Sequence, residues 1–261
     1  VTGVEISAEH ARLEIAGQPP REVGFLVGAD GLQSRLRSVL NGPRKPFFTG
    51  QVAWRALVPA VGGERVEATV WMGPGQHMVT YPLRRGEIVN IVAVEERKAW
   101  ADEGWHHRDD PYNLRHAFDR FAQAPQGLLD RVEEVHLWGL FRHPVADQWH
   151  RGPAVILGDA AHPTLPFMAQ GAVMALEDAW VLADSLSLSG LDEGPALYQA
   201  RRRPRVQRVI EEANRNARNY HHSNPLVRGI GFGALRLFGG LRPGAVLSHY
   251  DWIYDRDVTR E

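Results

Sequence analysis

The chain has no cysteine, which excludes disulfides, thiolate nucleophiles and cysteine-based zinc sites. Its 261 residues contain no apolar run approaching transmembrane length, and no signal peptide is visible at Val1; a cytoplasmic location is the default expectation. Charge of one sign is also lacking. Thirty Lys and Arg against 31 Asp and Glu leave a formal net charge of -1, so there is no electrostatic reason to expect nucleic acid or an anionic membrane as partner. No HExxH spacing occurs. The pairs His106-His107 (beside Asp109-Asp110) and His221-His222 are sequence neighbours that share no helical or strand face, so no metal is expected.

What is present is concentrated in two stretches. In Ala154 to Leu188 a short apolar run, Ala154 to Leu157, reads as a buried strand that breaks at Gly158-Asp159, passes Pro163 and Pro166, and restarts as a helix after Gly171. Open α/β sheets bind ligands outside the carboxyl ends of their strands, and a helix N-terminus offers free N–H groups to an electron-rich group. Asp159, acceptor-only when ionised, suits a sugar or sugar-alcohol hydroxyl better than a phosphate. Upstream, a strand Val23 to Val27 ends at Gly28-Ala29-Asp30-Gly31 and leads into a helix from about Leu32 to Leu40. Its glycines permit a sharp turn and a close approach of backbone to ligand.

These residues carry a resemblance. The string GDAAHP followed by AQGAVMALEDA resembles the second FAD-binding motif of the class A flavoprotein aromatic hydroxylases, and GFLVGADGLQSRLR, Gly24 to Arg37, is similar to the Asp-Gly motif of that family. The resemblance implies an α/β fold: a Rossmann-like FAD-binding domain, an inserted β-sheet substrate domain and C-terminal helices. It also implies FAD contacts by Asp30, Gly31, Arg37, Gly158, Asp159, Pro163, Gln170, Gly171 and Ala172. The GxGxxG turn that the family uses for the ADP half of FAD is not found in the chain, which therefore looks like the later part of a longer enzyme, incomplete at its N-terminus and inactive as an isolated fragment.

The composition turns β-rich after Pro43 and Pro46, and with the resemblance this implies three segments: 1–45 as the remainder of the FAD-binding domain, 46–148 as the substrate sheet, and 149–261 as the return to the FAD-binding domain with C-terminal helices. In the middle segment Gln51 to Pro59, Val66 to Met72, Gln76 to Leu83 and Ile88 to Glu95 read as strands, separated by turns at Gly62-Gly63, Gly73-Pro74-Gly75 and Arg84-Arg85-Gly86. Asp110 to Gln123 reads as one amphipathic helix and His136 to Leu140 as a returning strand. His77, Val79 and Tyr81 share a strand face. The pattern HxxxYP, His77 to Pro82, resembles one that places a His and a Tyr beside the aromatic substrate in the salicylate-hydroxylase-like branch of the family, so His77 and Tyr81 are the candidate catalytic pair; an exposed His and a packed Tyr is the plainer alternative.

In the helix from Gly171 to Leu188, Val173, Leu176, Trp180 and Ala183 form the expected core stripe, with Glu177, Asp178 and Asp184 on the remaining face, either solvated or paired with arginines downstream. Gly194-Pro195 opens another helix that Pro204 should kink or break. The run Arg201-Arg202-Arg203-Pro204-Arg205 reads as a solvated or ion-paired face rather than a nucleic-acid site. The tail from Asn224 reads as a helix plus an aromatic segment that packs over the domain or a partner, a homodimer being one arrangement.

The activity this implies is an FAD monooxygenase that uses NADH or NADPH and O2 to hydroxylate a small hydroxylated aromatic or N-heteroaromatic acid. An epoxidase or reductase of the wider superfamily, or a truncated non-catalytic fragment, are the alternatives.

Overall fold

A computed structural model describes residues 1–62, 66–98, 107–241, 244 and 248–260. His106 and Gly63 lie outside the described residues. The chain divides into two compact units, one built from Val1–Phe47, Arg142–Asn216 and Arg242–Glu261, the other from Phe48–Phe141 and Ala217–Leu241.

In the first unit, β1 (Gly3–Ile6), β2 (Ala11–Glu14) and β3 (Arg21–Val23) form an antiparallel sheet, and β4 (Leu26–Gly28) joins a different one. The strand read over Val23 to Val27 is thus two strands: Val23 pairs with Ala11, whereas Leu26 pairs with Ala154. After β4 come the helix α1 (Arg35–Asn41) and, beyond the second unit's strands, β11 (His150–Arg151) and β12 (Ala154–Ile156), in the sheet order β11-β12-β4. The register of β12 on β4 is parallel, with Ile156 opposite Gly28. All three residues of β12 are fully buried, as a continuous apolar run between covered faces requires.

A long helix, α4 (Gly171–Tyr220), completes this unit's core. Its one internal break is at Gly190 (φ 73°, ψ -174°), not at Pro204, which with Pro195 lies inside the helix. Glycine adopts that backbone shape without a Cβ penalty, so the chain turns there. The expected core stripe of α4 is largely exposed, and the acids take the paired alternative. Val173, Leu176 and Trp180 are 42%, 73% and 51% exposed, while Glu177, Asp178, Val181, Leu182 and Ser185 are buried. The acids go inward because arginines from the helix's second half meet them there. Past α4, a short helix at Asp251–Tyr254 buries Ile253 in this core, and the Arg208 guanidinium stacks on the Trp252 ring at 3.8 Å.

The second unit holds a six-stranded sheet, ordered β6-β7-β8-β5-β10-β9, from β5 (Phe47–Pro59), β6 (Thr69–Gly73), β7 (Gln76–Leu83), β8 (Ile88–Glu96), β9 (Arg108–Asp109) and β10 (Val135–Arg142), with β6 to β7, β7 to β8, β8 to β5 and β10 to β9 antiparallel. The four expected strands are joined by β9 and β10. The single helix read over Asp110 to Gln123 is two, α2 (Pro111–Ala117) and α3 (Gln123–Leu129). Asp110 caps the first by accepting from the Tyr112 amide, and Phe118 (φ -106°, ψ 19°) ends it. Trp54, Met78, Ile91, Leu114, Phe118 and Leu129 are the heart of this core. Residues Pro225–Leu241 form α5, which is grouped with the sheet and exposes Leu226 and Ile230. No helix among the described residues is long and apolar enough to cross a membrane.

Candidate functional site

Because Ile156 lies opposite Gly28, β4 and β12 end side by side, and the two acidic turns that follow them, at Asp30 and Asp159, leave the same end of one sheet. Gly28 has to be glycine: a Cβ there would lie 2.7 Å from a Leu36 side-chain carbon and 3.1 Å from one of Ile156. Gly31 and Gly158 have φ of 73° and 59°, in the left-handed region that favours glycine.

Between these turns lies a recess of about 490 Å³, lined by Ala29, Gly31, Leu157, Gly158, Asp159, Thr164, Leu165, Pro166, Ala169, Gly171, Ala172 and Ala175. Five of the expected cofactor residues line it: Gly31, Gly158, Asp159, Gly171 and Ala172. Gly171 opens α4, so the positive end of a long helix meets the recess. The Asp159 side chain is accessible, yet its apolar surroundings raise its pKa above the ordinary carboxylate value, partly offset by His162.

Of the other four, Asp30 and Arg37 hold the turns in place. Asp30 accepts from the Arg35 amide at 2.9 Å, and Ser34 caps α1 by accepting from the Arg37 amide at 2.9 Å. Arg37 is buried, and its guanidinium donates to the carbonyls of Ala160 and Ala161, both at 2.9 Å, and of Pro144 at 2.6 Å. It bolts the second acidic turn to the helix after the first. Pro163 is buried and outside the lining. Gln170 is 4% exposed, its carbonyl accepts from the Met174 amide at 2.8 Å, and its side-chain Oε1 has no partner among the described residues.

Under the Gly158 turn lies a charged cluster whose histidine sequence reasoning missed. Asp178 Oδ2 accepts from the Gly158 amide at 2.9 Å and from His162 Nε2 at 2.5 Å, and Oδ1 accepts from Arg202 at 2.7 Å. Arg202 and Arg205 also pair with Glu177, at 2.7 and 2.8 Å. Burial alone would raise the pKa values of Asp178 and Glu177; their hydrogen bonds and ion pairs with His162, Arg202 and Arg205 outweigh it and hold both below the ordinary carboxylate range. Paired acids at 177 and 178 facing arginines at 202 and 205 across a helical turn-back are a signal the sequence did carry; His162 has none beyond its place in GDAAHP.

In the second unit His77 is 1% exposed on β7, and its Nδ1 lies 2.6 Å from Nε2 of His221. Its ring packs on Tyr220 at 5.3 Å between centroids. Burial, with His221 beside it, pushes its pKa down to about 3. His77 is therefore neutral at pH 7 and not the exposed His of the plainer alternative. Tyr81 is half-buried on the same strand face. Among the described residues no cluster of three potential metal ligands forms.

An α/β unit with paired acidic strand ends and a helix N-terminus at one recess defines a nucleotide-cofactor fold. Residues 21–213 match the family model described as FAD binding domain, and the chain belongs to that family. It is 36% identical over 226 residues to a 3-amino-4-hydroxybenzoate 2-monooxygenase of Streptomyces platensis, covering 84% of this chain and 57% of that protein. It is 34% identical over 234 residues to a 6-hydroxynicotinate 3-monooxygenase of Bordetella bronchiseptica, covering 86% of this chain and 61% of that protein. The chain thus spans about three fifths of the length of these curated relatives. A salicylate hydroxylase substrate complex superposes with a TM-score of 0.82 at 25% identity over 100% of this chain and 68% of that one. The expected fold class, an FAD-binding α/β domain with an inserted sheet, is borne out by these matches.

The recess suits such a cofactor. It offers a carboxylate for a hydroxyl, free amides at the start of α4, and at Gly31 a backbone where an added Cβ would meet nothing within 4 Å, leaving room for a ligand to approach.

Proposed function

We propose that the protein is an FAD-dependent monooxygenase that hydroxylates a small hydroxylated aromatic or N-heteroaromatic acid, drawing electrons from NADH or NADPH and oxygen from O2. The observation that carries this reading is the parallel register of β12 on β4, which brings both glycine–acid turns to one recess at the start of α4, in a chain of the FAD-binding family. The named relatives support the substrate class, since 3-amino-4-hydroxybenzoate and 6-hydroxynicotinate are both ring carboxylic acids with a ring hydroxyl.

Bound FAD would supply the redox and oxygen chemistry. The chain's own work is to bind, orient and move a proton. Asp159 would accept from a hydroxyl of the cofactor's polyol, and the amides opening α4 at Gly171 and Ala172 would stabilise negative charge at their end of the helix. Asp30 and Arg37 would act by fixing the turns, and Gln170 and Pro163 by shaping the entry to α4. His77 would take the ring hydroxyl's proton, which makes the ring more nucleophilic, with Tyr81 orienting the substrate; a positioned base of this kind contributes roughly a hundredfold or more. Segments 1–45 and 149–261 would serve the cofactor and 46–148 the substrate. A cytoplasmic location, a homodimer, and the absence of nucleic-acid or membrane partners belong to the same reading.

Product analysis under labelled O2 tests it. A hydroxylase places one labelled atom in the product; a reductase places none, and an epoxidase gives a different product. His77→Gln should then lower hydroxylation about a hundredfold while flavin reduction persists. Equal hydroxylation by that variant would remove His77 from the chemistry.

A further inference from the structure

The 17-residue helix α5 keeps most of its large apolar side chains in water. Leu226, Ile230, Leu237 and Leu241 are 76%, 75%, 59% and 71% exposed. At 3.6 residues per turn these four, with Gly233 and Ala234 between them, fall in one sector of about 100°, and Val227 lies at its edge. Arg228 and Gly239, both half-buried, are on the opposite side, where Arg228 lines a recess with Gln76 and Glu95 of the sheet. The helix thus docks on its own unit by one side and presents an apolar stripe on the other.

The order of residues along the stripe selects what fits it. Measured from the midpoint between Gly233 and Ala234, Ile230 and Leu237 stand equally far on either side, and so do Leu226 and Leu241. A stripe that reads the same from both ends is complementary to its own copy under a two-fold rotation, in which residue i meets j and j meets i. Laid antiparallel, two copies set Ile230 against Leu237 and Leu226 against Leu241. The small Gly233 and Ala234 meet their own copies at the centre, where the helix axes can approach to about 8 Å. From this pattern we infer that the stripe of α5 is the centre of a homodimer interface, in which the α5 helices of two copies pack antiparallel about Gly233 and Ala234. The inference locates the homodimer of the hydroxylase reading and stands without the chemistry of that reading.

Charge and area agree with this pairing. The stripe carries no charged residue, and from Asn224 to Tyr250 the chain has arginines but no acid. A parallel pair would bring Arg228 and Arg236 level with their own copies. In the antiparallel pair Arg228 comes level with Gly239 of the other copy and Arg236 with Gly231, so like charges stay apart. Covering a side chain of leucine size removes roughly 100 Å² of apolar surface from water. The stripes and Val227 of two copies therefore bury on the order of 1,000 Å², the least that a specific interface needs. A lipid surface fits less well, because helices that lie on membranes carry a strongly charged opposite face. Here that face holds Phe232 and Leu235 beside the two arginines.

Sedimentation of the full chain, with no flavin added, should give the mass of two copies at micromolar concentration. Ile230→Asp, which puts a charge on the stripe, should return the mass of one copy, while Leu235→Asp, 50% exposed on the opposite side, should leave the dimer intact. Because the chain has no cysteine, an introduced one reports the register without interference. Ala234→Cys should cross-link to its own copy on mild oxidation. Leu226→Cys alone should not, since its copies stand roughly 22 Å apart along the helices, but it should cross-link when mixed with Leu241→Cys. A monomeric wild-type chain, a dimer that survives Ile230→Asp or is lost equally in Leu235→Asp, an Ala234→Cys chain that does not cross-link, or Leu226→Cys linking to itself would each overturn the interface. A monomer that binds phosphatidylglycerol vesicles through the stripe would overturn it in favour of a lipid surface. None of these readouts involves flavin or oxygen transfer, so the labelled-O2 result decides the hydroxylase reading separately.

Discussion

Each unit buries a histidine at a hydrogen-bonded cluster, and the two clusters are built on opposite electrostatic plans. In the first, His162 meets Asp178, and two arginines meet Asp178 and Glu177, so a group of full charges is compensated inside the protein and pinned to the Gly158 amide. In the second, His77 meets another histidine, which in turn meets Glu96, a carboxylate half in water. Charge that is paired on every side is suited to hold a loop in one shape. A ring shut away from water with another ring as its partner is held in its uncharged form.

Acid should separate the two plans by the largest margin. His77 is neutral when folded, with its pKa down to about 3 against 6.5 when unfolded, and His221 is shifted the same way. Between these values the unfolded chain binds more protons than the folded one, so the stability these histidines contribute is present above pH 6.5 and is lost as pH falls toward 3. For His77 the loss is up to about 5 kcal/mol, at 1.36 kcal/mol per pKa unit. Asp178 and Glu177 are depressed below 3.8 and 4.5, so their contribution holds until the pH falls into the carboxylate range. Hydrogen exchange followed by mass spectrometry should show the six-stranded sheet opening first on acidification. Simultaneous opening of both units would break the contrast.

Removing one charge from the compensated cluster comes next. Asp178→Ala takes the carboxylate from His162 and the Gly158 amide and leaves Arg202 with Glu177 as its remaining carboxylate, and should destabilise by about 3 to 5 kcal/mol in denaturant unfolding. Gly158→Ala should cost about 1 to 3 kcal/mol, since φ is 59° and the new methyl would sit 3.0 Å from the Ala175 Cβ. The partly exposed Arg201–Asp184 pair sets the lower end, and Asp184→Asn should change stability by less than about 1 kcal/mol. Asp159→Asn sharpens the comparison differently. Its carboxylate is held in surroundings that raise its pKa, so neutralising it should leave the melting temperature unchanged or higher while weakening flavin binding. A lower melting temperature would mean that Asp159 is a brace like Asp178.

Much of the fold was legible because it depends on local pattern. The strand Gln76–Leu83 and the turn at Gly158-Asp159 were read from alternation and from glycine punctuation. Apolar residues at helical spacing point to the wrong stripe of α4, and of the two alternatives for Glu177 and Asp178 only the partners at Arg202 and Arg205, some 25 positions later, select the inward one. Proline points to a break in α4 at Pro204, but the helix accommodates both prolines and the turn uses the φ available to Gly190. For the site, the two acidic turns could be named singly, but their placement side by side depends on a strand register between residues some 128 positions apart. In the sequence His221 is only one of two adjacent histidines. Its contact with His77 spans 144 positions and follows from how α4 ends, which no local pattern encodes.

One small residue closes the loop before α4. Ala169 has φ 52° and ψ 27°, a shape in which a methyl group costs about 1 to 2 kcal/mol. Glycine in its place would adopt that shape freely but would also wander through many others before folding. By keeping the methyl, the chain accepts a bent peptide in return for a hinge with few alternatives. A ligand arriving at the mouth of the long helix would then meet a wall already set, and would lose little affinity to freezing it.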